Sequence, residues 1–229
     1  MMSTTTIHTK KIYPFEAIML GLLLILSVTG IIVCFNDKKY FENVFTSEDG
    51  FVEYSTLIPL SIAFGVCMYY LIVLSRQRSW MFTLCVILAA LFSFFVMGEE
   101  VSWGQRIFHV SSSEFFKEHN AQGETNLHNL VVDGEKINKI IFTFLLSILV
   151  ALYMFLLPYL YKKKLAVRNF IDRFGIPVPR PLHILSMLVF GILLAMMQSP
   201  KNSEILEVGV STIFLLILLY PQNLRVFRK

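Results

Sequence analysis

The segment that decides the fold is Trp80–Phe108, WMFTLCVILAALFSFFVMGEEVSWGQRIF, in which a long apolar run ends abruptly in a polar block. Residues 80–97 carry no charged side chain. Their length and composition are typical of a helix that crosses a bilayer. Glu99 and Glu100 follow almost immediately. Because charged groups at the edge of a membrane span are costly, a cluster of them there indicates a functional site.

The composition of the whole chain agrees with a membrane protein. Of 229 residues, 55% are hydrophobic and 16% are charged, and the mean hydropathy is +0.65. Soluble domains have about 25% charged residues. The apolar residues are collected in long runs, so the sequence predicts one all-α polytopic membrane domain over residues 1–229, with the lipid bilayer as its main partner. The basic residues lie beside these runs, and we expect no nucleic acid as a partner.

Six apolar runs predict a bundle of six transmembrane helices. The expected spans cover about residues 13–35, 54–74, 80–97, 137–161, 182–197 and 205–220. The segment 98–136 between the third and fourth spans is expected to be an ordered loop.

The distribution of charge orients these spans. If the amino terminus is cytoplasmic, cytoplasmic segments hold 13 of the 20 Lys and Arg residues, although the loops on the opposite side are longer. Lys and Arg set orientation, so both termini are expected in the cytoplasm of a cell (inner or plasma) membrane. The other side holds 14 of the 16 acidic residues. Acidic residues carry little topological weight, so we attribute their asymmetry to the site.

The two glutamates that end the third span lie where a helix disfavours acids, because the macrodipole is negative at a carboxyl end. Two interpretations follow. If the helix continues to Phe108, then Glu99, Trp103 and Arg106 share one face. Otherwise the helix breaks near Gly98. In either case we expect Arg106 to pair with Glu99, and Trp103 could serve instead as an interfacial anchor.

Two patterns in the following loop predict local structure. Ser111 and Glu114 have the spacing of a capping box that begins a short helix. Glu124 and His128 are four residues apart and share one face if residues 125–132 are helical. A carboxylate and an imidazole at that spacing suit a metal ion or a proton-transfer pair.

Three further glutamates lie at the outer ends of other spans. Glu53 precedes the second span, and Glu204 and Glu207 open the sixth. Carboxylates at the ends of different helices can converge to form a site. Alternatively, each one complements the dipole at a helix amino terminus.

The side-chain chemistry of the candidate residues indicates the role that we expect for each. The expected catalytic residues are Glu99, Glu100 and His128; the expected substrate-binding residues are Trp103, Gln105, Arg106, Asn126 and Asn129; the expected metal ligands are Glu100, Glu124 and His128; and Glu53, Glu204 and Glu207 support them. A divalent metal is the candidate cofactor.

The block EEVSWGQR at residues 99–106, followed by NAQGETNLHN at 120–129, resembles a block of uncharacterised bacterial polytopic membrane proteins, in which it follows an element like residues 48–54 here. The resemblance implies an integral membrane protein and no particular activity. Glu99, Glu100 and Arg106 are more loosely similar to the first element of an intramembrane metalloprotease-like family. Here, however, Arg106 is six residues beyond the second Glu instead of four, and the last two spans carry no matching His.

Three classes of function remain open from the sequence. The first is a hydrolase or transferase that acts on a lipid or lipid-linked substrate reaching the extracytoplasmic face. The second is a non-catalytic sensor, effector or assembly subunit whose acidic surface binds a cation or a protein partner, including a second copy of the chain. The third is a small transporter or channel.

Overall fold

The computed structural model describes residues 12–47, 50–105, 107–127, 129–132, 135–136 and 146–229. Within these ranges the regular structure is helical apart from one antiparallel hairpin of β1 (Val131–Val132) and β2 (Glu135–Lys136). Four of the described helices are long and apolar enough to cross a membrane. The chain is therefore a multi-pass membrane protein of the all-α class, as its composition predicts.

The helices follow one another with short connections. Their bounds are α1 Pro14–Asn36, α2 Lys38–Tyr40, α3 Phe51–Leu74, α4 Trp80–Glu100, α5 Glu114–His119, α6 Leu146–Ala151, α7 Leu157–Lys163, α8 Leu165–Phe174, α9 Pro181–Met196 and α10 Asn202–Leu219. One π-helical turn, Phe41–Phe45, follows α2, and another, Leu152–Leu156, joins α6 to α7. Short 3-10 turns lie at Ser75–Gln77, Ser102–Gly104 and Leu224–Phe227.

The predicted spans coincide with these helices to within a few residues at five of six places. The long apolar helices are α1, α3 with its 3-10 extension, α4 and α10, whereas α9 is a shorter apolar helix of 16 residues. In the predicted fourth span, residues 137–145 lie outside the described part, and α6, the π-helical turn and α7 follow. The count of six spans therefore stays a prediction.

The helix α10 lies at the centre of the bundle. Of its apolar window 56% is buried, against 22–33% for the other three long helices. A helix that is apolar on all sides needs such a position. It packs against α1, α3 and α9, and Gly209 allows the closest approach, since a Cβ there would lie 2.1 Å from the Phe190 ring of α9.

Contacts between the ends of the helices define two ends of the bundle. The loop end carries the amino termini of α3 and α10 and the segment after α4. There the Ser199 hydroxyl donates to Glu42 Oε1 over 2.7 Å. The tail end carries the amino termini of α1, α4 and α9 together with α8 and residues 220–229. There the Tyr70 hydroxyl donates to the Leu218 carbonyl over 3.0 Å.

The carboxyl-terminal residues are fixed at the tail end through Asp172 on α8. One of its oxygens accepts hydrogen bonds from the Tyr161 hydroxyl at 2.9 Å and the Asn223 amide at 3.2 Å. The other pairs with Arg225 at 2.8 Å. The hydrogen bond that Arg225 donates to Asp172 raises the pKa of Arg225 above its ordinary value. The tail is thus tied to α8, which follows a run of three lysines.

Candidate functional site

The helix α4 ends at Glu100 because the residues after it take left-handed backbone conformations. The φ angle is +45° at Ser102 and +54° at Trp103, values that a helix cannot contain. The turn brings the Trp103 ring back onto α4, where a Cβ at Gly98 would lie 2.8 Å from it. The interpretation in which the helix continues to Phe108 is therefore wrong. The helix ends after Glu100, close to Gly98, which remains helical and packs against the Trp103 ring.

Glu99 joins the end of α4 to the far side of the loop. Its side chain is buried, with 6% of the residue exposed. Its Oε1 accepts a hydrogen bond from Trp103 Nε1 at 2.9 Å, and its Oε2 accepts one from the backbone N–H of Leu127 at 2.5 Å. Hydrogen bonds to a charged acceptor are stronger than neutral ones. Glu99 thus anchors the segment 101–130, which we call the polar loop.

A buried chain of side-chain hydrogen bonds runs through the polar loop. The Ser102 hydroxyl donates to Glu124 Oε2 at 2.6 Å and accepts from Asn126 Nδ2 at 2.9 Å. The Asn120 amide in turn donates to Asn126 Oδ1 at 2.8 Å. Ser102, Asn120 and Asn126 are all less than 9% exposed. Buried polar networks whose hydrogen bonds are all satisfied are rigid. We therefore infer that these hydrogen bonds fix the conformation of the loop.

A second set of amide contacts closes the loop on its other side. Gln105 Oε1 accepts from the backbone N–H of Thr125 at 2.8 Å and from the Ser112 hydroxyl at 3.0 Å. Asn129 Nδ2 donates to Gln122 Oε1 at 2.8 Å. Gln105, Asn126 and Asn129, which were predicted to bind substrate, therefore make contacts within the loop itself. Their role toward a ligand stays a prediction.

One local prediction for the loop is wrong, and the condition of another is not met. The short helix α5 begins after Ser113, which is its N-cap, and no side-chain cap bond forms, so Ser111 and Glu114 are not a capping box. The described residues between 124 and 132 form turns and a short strand. Glu124 is thus not placed on a helical turn leading to His128. Asn side chains that bond to nearby backbone groups offer the chain an alternative to helix, as Asn126 Oδ1 does for the backbone N–H of Asn129.

Four glutamates from three helices lie at the loop end, near enough for their charges to act on one another; we call them the acidic cluster. Its members are Glu53 on α3, Glu100 on α4, and Glu204 and Glu207 on α10. The charges of Glu100, Glu204 and Glu53 all act on Glu207, and Lys201 opposes them. The end of the bundle therefore concentrates negative charge between packed helices.

Dipole capping accounts for two of these four acids. Glu53 and Glu204 lie in the first turns of α3 and α10, where the macrodipole favours negative charge. Glu207 lies five residues after the start of α10, beyond the turn over which that effect acts. Close by on α3, Thr56 lies three residues after Glu53, and its buried hydroxyl oxygen has no hydrogen-bond partner among the described residues.

The predicted metal centre gains no support from the structure. Within the described ranges, no group of three or more His, Cys, Asp or Glu side chains could hold a metal ion. Glu124 bonds to Ser102 in the polar loop, whereas Glu100 belongs to the acidic cluster. Arg106 and His128, predicted respectively as an anion-binding residue and as an acid, base or metal ligand, lie outside the described residues.

A buried ionic cluster at the tail end was missed by the sequence analysis. Glu16 on α1 is fully buried and pairs with Arg180, the N-cap of α9. His183 Nε2 lies 2.9 Å from the same oxygen, Glu16 Oε1. The backbone N–H of Arg180 donates to His183 Nδ1 at 3.3 Å, so the imidazole proton lies on Nε2 and is donated to Glu16.

Two stacked aromatic rings cover this tail-end cluster. The rings of Tyr13 and Tyr220 are 4.4 Å apart and nearly parallel. The guanidinium of Arg180 lies 5.4 Å and 5.9 Å from their centroids, within the range of a cation–π interaction. The cluster ties α1, α9 and the end of α10 together. The sequence signal for it was Glu16 itself, an acid inside an apolar run that required a buried partner.

A comparison of the chain with protein-family models, curated proteins and solved structures finds no match. The similarity of the block at residues 99–129 to bacterial polytopic membrane proteins therefore stays a prediction. The function has to be inferred from the two polar clusters themselves.

Proposed function

We propose that this multi-pass membrane protein binds a ligand bearing a cationic group, and that the acidic cluster forms the binding surface. The single observation that carries the proposal is the convergence on Glu207 of three further carboxylates from α3, α4 and α10. Like charges held together in a poorly solvated site repel one another. A positively charged ligand relieves that repulsion, so the cluster favours cation binding.

The polar loop supplies a rigid wall for this site. Glu99 accepts a hydrogen bond from the backbone N–H of Leu127, and the side chains of Ser102, Asn120 and Asn126 bond to one another within the loop. Groups whose positions are fixed before binding lose little entropy when a ligand arrives. The unsatisfied hydroxyl of Thr56, one turn further along α3 than Glu53, offers an acceptor next to the carboxylates.

In the architecture that we propose, six spans cross a cell membrane with both termini in the cytoplasm. The support is the excess of Lys and Arg at the tail end, where α8 follows three lysines. The acidic cluster and the polar loop then face the extracytoplasmic side. A ligand reaches them from outside or laterally from the outer leaflet.

The experiment is a thermal-unfolding titration of the purified protein in detergent with the polyamine spermidine as the probe. A ligand at about one hundred times its Kd stabilises the protein by about 2.7 kcal/mol. We expect spermidine to stabilise the wild type, and we expect this stabilisation to be lost in Glu207→Gln and Glu100→Gln. The matched control is Glu118→Gln, an exposed acid on α5 outside the cluster. If all variants respond like the wild type, the acidic cluster does not bind this cation.

A second candidate is a hydrolase or transferase acting on a lipid or lipid-linked substrate. The observation that favours it is the effect of the Glu100 charge on Glu207, since two interacting carboxylates can divide the roles of acid and base. Glu100 would then act as the general base, with His128 as its partner. The test is incubation of the protein with a total membrane lipid extract, followed by mass spectrometry of the products. A product formed by the wild type and absent with Glu100→Gln would favour the enzyme.

A binding subunit for another protein predicts a different result. Charge reversal at Glu114 or Glu118, which are exposed on α5, would then remove the partner without affecting the response to small cations. Co-purification from the native membrane, with and without these substitutions, separates this outcome from the binding of a small ligand.

A further inference from the structure

A groove at the tail end lies between α3, the end of α10 and the carboxyl-terminal residues; we call it the tail groove. Its volume is about 480 Å³, within the usual range of ligand sites. Its lining is mainly apolar and includes Ile62, Val66, Tyr69, Leu219 and Leu224, with Arg228 at one end. An apolar slot with one basic group has the chemistry of a lipid site.

The roof of the tail groove is fixed by contacts of the tail with α3 and α4. The Phe227 ring packs 5.2 Å from that of Tyr70 and 5.8 Å from that of Phe82. Arg78 donates to the carbonyls of Arg225 at 3.3 Å and Arg228 at 2.7 Å. Because these bonds hold residues 224–228 in place, the groove is formed without a ligand.

The floor of the groove is open at Gly65. A Cβ at this position would meet no atom within 4 Å. Along α3, Ile62 and Tyr69 are seven residues apart, about 10 Å at the rise of a helix. The groove thus runs along a membrane span from the middle of α3 toward the tail end. Lipid acyl chains surround such a span. An apolar groove that runs parallel to the span therefore suits an acyl chain.

Charge complementarity identifies the head group. Arg228 is exposed at the end of the groove, and Arg76, Arg78 and Lys229 are also basic residues of this end. We propose that the tail groove binds one acyl chain of an anionic phospholipid, whose phosphate contacts Arg228. Residues 1–11, MMSTTTIHTKK, are mostly polar, so their composition does not suit an apolar slot. The proposal is independent of the function assigned to the loop end.

The test is native mass spectrometry of the full-length protein, purified in a mild detergent, which counts bound phospholipids by class. We expect the wild type to retain an anionic phospholipid and Gly65→Leu to lose it, because the added side chain fills the groove. The matched control is Gly191→Leu on α9, where a Cβ also meets no atom within 4 Å and no groove residue is changed. Arg228→Ala should weaken anionic lipid binding about tenfold, as expected for the loss of a charged hydrogen bond.

Adding lipid back identifies its source and completes the test. Micelles doped with phosphatidylglycerol should raise the thermal midpoint of delipidated wild type, whereas phosphatidylcholine micelles and inorganic phosphate alone should not. The same midpoint measurement shows whether Gly65→Leu is folded. Equal lipid retention by wild type and Gly65→Leu, equal loss by Gly191→Leu, or an effect of phosphate alone would each overturn the proposal.

Discussion

Replacing Arg180 by Met should strongly lower the free energy of unfolding, because the substitution leaves a buried carboxylate without its cation. The side chain of Arg180 is 5% exposed and that of Glu16 is 0% exposed. Without Arg180, Glu16 keeps the imidazole of His183 at 2.9 Å and the backbone N–H of Tyr13 at 3.3 Å. Neither replaces the permanent charge of the guanidinium.

The magnitude follows from comparing two kinds of loss. A hydrogen bond between membrane helices contributes about 0.6 kcal/mol on average, because the unfolded chain finds other partners. Removing one partner of a buried ion pair costs about 3–5 kcal/mol, because the remaining charge is uncompensated. Glu16 is completely buried, so the larger figure applies to Arg180→Met. Arg180→Lys should cost less, since it keeps the charge and loses only the planar guanidinium over the two Tyr rings.

The assay is equilibrium unfolding by sodium dodecyl sulfate in mixed micelles, followed by circular dichroism. A double variant, Glu16→Leu with Arg180→Met, should recover most of the lost stability, because neither charge is then left alone. The control is Lys38→Ala in an exposed pair with Glu42, whose side chains are 57% and 31% exposed; it should change the free energy of unfolding by less than about 1 kcal/mol. A loss below about 1 kcal/mol for Arg180→Met, or no recovery in the double variant, would refute the reasoning.

Three further predictions concern the loop, the packing and the topology. Glu99→Ala should cost about 1.5–3 kcal/mol for each charged hydrogen bond lost and expose the polar loop to limited proteolysis; an intact loop would contradict its anchoring role. Gly209→Leu should lower the thermal midpoint sharply because the new side chain overlaps an aromatic ring of α9, whereas Gly21→Leu, which meets no atom within 4 Å, should not. A Cys introduced at the exposed Ser111 should react with an impermeant maleimide from outside the cell, and one at Lys163 should not; the reverse pattern would invert the orientation.

The sequence could predict the helices because each one is specified locally. An apolar run of about 20 residues has few alternatives in a membrane other than a helix, and the runs of α1, α3, α4 and α10 are that simple. The residue at which α4 ends was harder to predict from the sequence. Whether the chain after Glu100 stays helical depends on the left-handed backbone at Ser102 and Trp103, and neither residue type indicates such a turn by itself.

The tertiary contacts could not be predicted in the same way, because their partners are distant in the sequence. Glu16 meets Arg180 and His183 more than 160 residues later, and no local pattern connects them. In the loop, Glu124 and His128 would share one face only if residues 125–132 were helical, but Asn126 bonds to Ser102 and to the backbone N–H of Asn129 in a turn. Side chains that satisfy the backbone locally override a spacing argument.

The two ends of the bundle treat acidic side chains in opposite ways, and a pair of matched substitutions tests that contrast. Glu16 at the tail end is bonded to a cation, an imidazole and a backbone N–H, so Glu16→Gln should destabilise the ligand-free protein. Glu207 at the loop end lies among like charges from Glu100, Glu204 and Glu53. Glu207→Gln should therefore stabilise the ligand-free protein, by about 0.5–2 kcal/mol, as removal of functional strain commonly does. The same micellar unfolding assay measures both. If Glu207→Gln destabilises the protein as Glu16→Gln does, the acidic cluster is part of the structural framework and not a site kept for a ligand.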